Sequence, residues 1–557
     1  MDNKTGDRVN TVERVRAAYA RVSGADRPEV WIALRDEADV LAEAALVDED
    51  LPLAGLLFAA KDNIDVAGLP TTAACPSFAY TPDRDATAVA RLRAAGAICL
   101  GKTNLDQFAT GLVGTRSPYG PVRAAADPDR ISGGSSSGSA VAVALGIADF
   151  ALGTDTAGSG RVPAALNGIV GIKATLGLVP VGGVVPACPS YDCLTVFAPD
   201  LDLATRAIRI MTGESDPDPA SRPWPADAPL AAPPAARAAI PVDANLAALD
   251  PDFRPLWDAS LARFAAAGVD LVPIDVQALL DAALLLYEGA LVAERYAAFG
   301  AHIEAQPADA DPIVAEIVKG AGKFSAADLV ADQQRLRRAR RRAADLLDGF
   351  DALLLPTAPL HPTIAEVQAD PIAVNAAMGT YTNFVNLLDM AAVAVPAGTT
   401  GTKGFGVSVI APAFHDQVAI DLAARAADVP APRYAPRSAE LVVFGAHLTG
   451  MPLNHQLVAL GARFDGEVAT APAYRMYELP TEPPKPLVVR TGDGASLPGE
   501  RWLLSPAALG RFLADLPAPM TLGKVELADG TWATGFVANE PSGADITAAG
   551  GWRHRRG

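Results

Sequence analysis

The chain has 557 residues, with 46 basic and 64 acidic side chains for a net charge of −18. Half of the residues are apolar and a fifth are charged, which is a globular composition rather than a disordered or membrane one, and a chain this long divides into more than one domain. The acidic balance argues against nucleic acid or an anionic membrane as partner, so an anionic substrate needs a local arginine.

In chain order, Met1 to Asn10 is polar and lacks the apolar core of a signal peptide. Val12 to Ala45 has a helical amphipathic pattern, and Leu56 to Ala60 is an apolar strand that gives way to a loop at Lys61-Asp62-Asn63. Thr87 to Ala95 reads as a helix closed by Gly96, followed by a buried strand from Ala97 to Leu100. This alternation predicts an α/β fold with a mixed central sheet between helices. The longest apolar stretch, Ala140 to Gly153, is interrupted by Asp149 and is too short to span a bilayer.

Between Glu214 and Pro241 proline and alanine dominate, which predicts a long surface connection within the first domain. Leu279 to Phe299 returns to a helical period. Ser325-Ala-Ala-Asp328 is a capping box for a helix carrying Arg335, Arg337, Arg338, Arg340, Arg341 and Arg342, read as a solvated face. Asp351 to Pro356 and Met390 to Pro396 are compact buried strands. The proline-rich run from Val429 to Pro436 marks a boundary: residues 1–430 form one domain, 431–438 a linker and 439–553 a second, strand-rich domain. Four cysteines, Cys75, Cys99, Cys188 and Cys193, fit neither a paired metal spacing nor a disulfide framework, which points to a reducing cytoplasm.

Chemistry concentrates in Gly133-Gly-Ser-Ser-Ser-Gly-Ser-Ala140 and Gly153-Thr-Asp-Thr-Ala-Gly-Ser-Gly-Arg-Val-Pro-Ala164. A Gly/Ser cluster alone also fits a flexible turn. Amide hydrolysis needs a nucleophile, a base and donors aimed at the oxyanion. Serine is the abundant nucleophile here, and all six histidines fall at His302 or later, outside these motifs. A lysine held uncharged by burial is then the economical base: Lys61 first, with Lys102 and Lys173 as fallbacks.

These motifs resemble the amidase signature family. The resemblance implies a triad of Ser159 as nucleophile, Ser135 as a bridging serine in a cis peptide, and Lys61 as base, with separations of 24 and 74 residues. It also implies an oxyanion hole from the backbone N–H groups of Thr156, Ala157, Gly158 and Ser159, although typical members carry a second glycine where Ala157 stands.

Within that family, the stretches Ala67 to Pro76, Gly111 to Gly120, Asp155 to Ala164 and Val185 to Cys188, with Asp192-Cys193, are similar to allophanate hydrolases. The resemblance implies hydrolysis of allophanate to ammonia and N-carboxycarbamate through an acyl-enzyme, ending in carbon dioxide and ammonia, with no metal or organic cofactor. It implies a substrate pocket with Tyr287 and Arg295, eight residues apart on a predicted helix and so on roughly one face, and with Gly111 and Gly114. The C-terminal segments Gly445 to Asn454 and Tyr474 to Glu478 resemble these enzymes' accessory domain, an α+β unit similar to γ-glutamyl cyclotransferases. There a histidine is implicated in handling N-carboxycarbamate, and His447 is the candidate. A homodimer and a urea carboxylase partner are further implications. Two rivals stand: an amidase of the same signature acting on another small amide, and a non-catalytic subunit in urea metabolism.

Overall fold

The computed structural model describes residues 10–215, 218–435, 437–516 and 520–555. The polar segment before Asn10 lies outside them. Two compact units are present: the first comprises Met1–Pro223 and Ala236–Tyr434, the second Trp224–Ala235 and Ala435–Gly557.

One eleven-stranded mixed sheet organises the first unit. Its strands are β1 (Trp31–Leu34), β2 (Leu57–Lys61), β3 (Ile98–Thr103), β4 (Phe150–Asp155), β5 (Val170–Lys173), β6 (Cys193–Ala198), β7 (Arg237–Pro241), β8 (Asp270–Ile274), β9 (Ala352–Pro356), β10 (Met390–Thr400) and β11 (Lys403–Pro412). They lie in the order β1-β3-β2-β4-β6-β5-β10-β11-β9-β7-β8. β2 is parallel to β3 and β4, and β7 is parallel to β8 and β9. Every residue of β2, β3, β4, β5, β6 and β9 is buried, as expected of strands covered by helices on both faces. The apolar runs Leu-Phe-Ala-Ala and Ala-Leu-Leu-Leu therefore carry no alternation. This burial places Lys61, at the end of β2, inside the protein.

Three regions differ from their sequence pattern. The helical stretch from Val12 to Ala45 is two helices, Thr11–Ala25 and Glu37–Ala44, separated by the edge strand β1. Asp26 ends the first helix in the left-handed region, and Pro28 follows. Between Leu279 and Phe299 the helix also breaks. Gln277–Ala283 and a short turn Leu284–Leu286 end at Tyr287, Gly289 is extended, and a new helix starts at Ala293. The proline- and alanine-rich stretch is more than a connection within the first domain. Residues 224–235 join the second unit, where Leu230 N donates to Gly461 O, Ala507 N to Ala226 O, and Arg463 Nε to Leu230 O. Its end, β7, enters the large sheet with Ala238 and Ala239 buried. The capping box at Ser325 and Asp328 forms and opens the arginine-bearing helix Ala326–Leu346.

The second unit has strands β12 (Ala439–Val443), β13 (Arg463–Ala469), β14 (Tyr474–Leu479), β15 (Lys485–Arg490), β16 (Pro498–Leu504), β17 (Leu522–Glu526), β18 (Trp532–Phe536) and β19 (Ala544–Asp545). They form a five-stranded sheet, β13-β16-β12-β18-β17, and a three-stranded sheet, β15-β14-β19. With the helices Asn454–Ala459 and Pro506–Ala514, this is an α+β unit built around Leu441, Val443, Tyr474, Trp502 and Phe512.

Candidate active site

Three loop ends of the large sheet converge on Lys61. Its Nζ lies 2.7 Å from Ser135 Oγ, and Ser135 Oγ lies 3.0 Å from Ser159 Oγ, so the three side chains form one continuous hydrogen-bonded chain. Ser135 sits just before the helix Ser137–Ala144, and the Gly134–Ser135 peptide is cis. Ser159 lies in the turn between β4 and the helix Val162–Asn167. Among the described residues, the backbone N–H groups of Thr156, Ala157, Gly158 and Ser159 have no protein acceptor, whereas those of Gly160 and Arg161 donate to Asp155 and Gly158. Four consecutive uncommitted donors suit an oxyanion.

Burial is the dominant influence on Lys61 and brings its ammonium pKa down to about 7, against the pull of Asp106, Asp192 and Asp155. Nζ also lies 2.8 Å from Thr154 Oγ1, which accepts a second bond from Asn63 Nδ2 at 3.3 Å. A neutral amine that donates to Thr154 keeps its lone pair for the Ser135 proton. Lys102 and Lys173 are buried as well, but Lys102 pairs with Asp62 at 3.0 Å and Lys173 donates to the carbonyls of Ala174 and Met390. Neither touches a serine of the chain.

Buried carboxylates brace the loops around this chain. Asp155 forms a two-pronged pair with Arg161, both bonds at 2.9 Å, and also receives Gly160 N–H. Arg161 extends to Thr382 O and Asn386 Oδ1. Asp192 accepts from the Thr156 hydroxyl and from the N–H groups of Ala187 and Cys188, fixing Thr156 at the start of the turn that carries Ser159. Asp106 accepts from Val113, Gly114 and Arg116 N–H, and its own N–H donates to Ser135 O. It thereby joins Ser135 to the loop carrying Gly111 and Gly114. A side chain at Gly114 has no room: a Cβ there would lie 2.6 Å from Gly133 O.

Arg295 is fully buried with its guanidinium 4.6 Å from the centre of the Tyr287 ring. The pair meets across the helix break at Gly289, not along one helix as its spacing suggested. Arg295 Nη1 reaches Leu286 O, at 3.5 Å, and among the described residues its Nε and Nη2 have no hydrogen-bond partner. Tyr287 also lines a cavity of about 690 Å³, together with Arg116, Asn375, Gly379 and Asn383. The serines and Lys61 are not part of its lining. Asn375 in its lining accepts from Leu112 N through Oδ1, and Thr382, next to the lining residue Asn383, faces Gly158.

His447 belongs to the second unit, between β12 and the helix Asn454–Ala459. It is buried, its Nε2 lies 2.9 Å from Gln456 Oε1, and its ring stacks 5.3 Å from Phe536. Burial lowers its pKa below the usual histidine value. It borders a separate cavity of about 440 Å³ that Lys485 and Asp515 also line. The sequence assigned no role to Asp106, Thr154 or Asp192, because each acts through a neighbour brought close only by the fold. Among the described residues, no cluster of His, Cys, Asp and Glu could hold a metal ion, and no helix is long and apolar enough to cross a membrane.

Residues 13–419 match the family model described as Amidase, and the chain belongs to that family of amide hydrolases. Residues 439–556 match the model for the allophanate hydrolase C-terminal domain. The same pairing of domains is found in allophanate hydrolase from Kluyveromyces lactis, whose structure has 38% sequence identity and a TM-score of 0.87, covering 98% of this chain and 97% of that one. Urea amidolyase from Saccharomyces cerevisiae is 41% identical over 94% of this chain. The K. lactis urea amidolyase structure has the same 38% identity and TM-score of 0.87 over 98% of this chain. The chain spans about a third of the length of these longer relatives, 31% of the former and 36% of the latter.

Proposed function

We propose that this chain hydrolyses allophanate to ammonia and N-carboxycarbamate. The reading is carried by the unbroken hydrogen-bonded chain from Ser159 through Ser135 to a lysine whose pKa lies at about 7. Ser159 Oγ attacks the amide carbon, Ser135 takes the Ser159 proton and passes its own to Lys61 Nζ, and the N–H groups of residues 156–159 receive the oxyanion. Lys61 returns a proton through the same chain as ammonia leaves. Water then adds to the acyl-enzyme along the relay and releases Ser159.

Arg295 binds the substrate carboxylate, a role supported by its burial and by Nε and Nη2, unpartnered among the described residues, with Tyr287 holding its plane and Gly111 and Gly114 lining the approach. We assign this chemistry to residues 1–430, with 431–438 as linker. The accessory domain, residues 439–553 joined by 224–235, handles N-carboxycarbamate at His447 as it proceeds to carbon dioxide and ammonia. A homodimer in the cytoplasm, supplied with allophanate by a urea carboxylase, completes the reading.

Ammonia release measured on allophanate, malonamide and biuret tests the substrate assignment. Allophanate should be preferred by at least about 100-fold in kcat/KM, because a fixed guanidinium discriminates strongly against substrates without a carboxylate. Comparable rates on malonamide would keep the serine chemistry and sink the allophanate assignment.

A further inference from the structure

Asn383 has a buried polar side chain that the mechanism above leaves unused. It is 8% exposed, lines the 690 Å³ cavity beside Tyr287, and its Oδ1 is buried without a hydrogen-bond partner among the described residues. In the same wall Arg116 donates from its two terminal nitrogens to Thr110 O and Pro371 O, and Asn375 Oδ1 accepts from Leu112 N. A buried amide oxygen left without a donor is unfavourable, so a ligand that supplies one is bound in preference.

The chain also makes room for this amide. Gly379 faces it so closely that a Cβ there would lie 2.5 Å from both Asn383 Oδ1 and Nδ2. The residue before it, Thr382, rests against Gly158, where a Cβ would lie 2.4 Å from Thr382 Oγ1. Thr382 occupies the N-cap of the helix Asn383–Leu387, yet its hydroxyl does not cap that helix, and Arg161 holds its carbonyl. Asn383 is thus fixed one residue from a group packed on the nucleophile turn.

We infer that Asn383 is a specificity-determining residue that reads the ureido group of the substrate, accepting the internal N–H at Oδ1 and donating from Nδ2 to an adjacent substrate oxygen. This rests on the assignment of Ser159 and allophanate above. Allophanate carries an N–H flanked by oxygens on both sides, the edge a carboxamide matches with one acceptor and one donor. Arg295 reads the charge and Asn383 reads the nitrogen, which separates allophanate from acids of the same length that lack that N–H.

The test compares the intact chain with Asn383→Leu and Asn383→Ala, following kcat and KM for allophanate and the inhibition constant of malonamate competing with it. Malonamate has a methylene where allophanate has the internal N–H. In both variants kcat/KM for allophanate should fall roughly 10- to 100-fold while malonamate affinity changes by less than about threefold. The melting temperature should hold or rise, since an unpartnered buried amide has been removed. Equal losses for both molecules, or no loss for allophanate, would overturn the proposal. Ser159→Ala assayed alongside separates the two levels: ammonia release surviving in that variant removes the reading on which the proposal rests, whereas its loss together with an unselective Asn383 effect removes only the role of Asn383.

Discussion

Lys61 concentrates the physical tension of the site. A lysine at the end of a fully buried strand is driven toward its neutral form, while three carboxylates pull it back toward the ammonium. With a pKa of about 7, kcat/KM for ammonia release should rise with pH along a limb centred near that value. Thr154→Val, which leaves the amine without its second partner, should lower kcat by roughly 10- to 100-fold and shift that limb, while Thr154→Ser keeps both. Lys61 also predicts a stability effect. Its folded pKa lies below the ordinary value of 10.5, so between pH 7 and 10.5 the unfolded state binds more protons and stability rises with pH. The slope is at most about 1.4 kcal/mol per pH unit. Urea denaturation across that window should show the rise in the intact chain and a flatter profile in Lys61→Met.

That Lys61, Ser135 and Ser159 meet was legible in the sequence because the three residues carry a motif and a spacing. Thr154, Asn63 and Asp192 were not, since hydroxyls, amides and carboxylates acquire meaning only from what the sheet sets beside them. Thr154 is on β4 and Lys61 on β2, and the parallel pairing of these strands brings the two side chains together.

Elements supply the second layer. Strands buried on both faces were readable as uninterrupted apolar runs, and the capping box at Ser325 announced its helix directly. Helix interruptions were harder. The break at Gly289 leaves the helical period of the flanking residues intact, so periodicity joined Tyr287 to Arg295 along a single helix. Their contact survives the break, because the stacking arises where the two helices meet.

The turn that carries Ser159, between β4 and the helix Val162–Asn167, depends on the Asp155–Arg161 pair, both members of which are fully buried. Such a pair adds little over an apolar replacement of both partners, but removing one leaves an uncompensated charge. Arg161→Met should therefore cost about 3–5 kcal/mol in unfolding free energy and abolish ammonia release. Retained stability with lost activity would instead assign Arg161 to chemistry alone.

At the scale of the molecule, the proline-rich run led the sequence to be divided near residue 430, and the two compact units part at Tyr434 and Ala435. The contribution of residues 224–235 to the second unit was not visible, because a Pro/Ala stretch has no periodicity to show which core it packs on. Backbone bonds from Leu230 and Ala226 and the salt bridge between Asp227 and Arg511 tie this segment to the C-terminal strands and helix. An excised fragment of residues 437–557 should melt below the same fragment supplemented with a peptide of residues 224–235. Calorimetric titration should detect that peptide binding; no binding and no shift in melting would show that the segment contributes nothing to the unit's stability.

The central claim, that a neutral buried lysine rather than a histidine drives serine chemistry on allophanate, is tested most directly by measuring ammonia release from allophanate at pH 8 for the intact chain, Ser159→Ala and Lys61→Met. The account predicts turnover by the intact chain and a loss of roughly a thousandfold or more in both variants, with both still folded. Substantial turnover by folded Lys61→Met would contradict it, since the proton of Ser159 would then leave by another route.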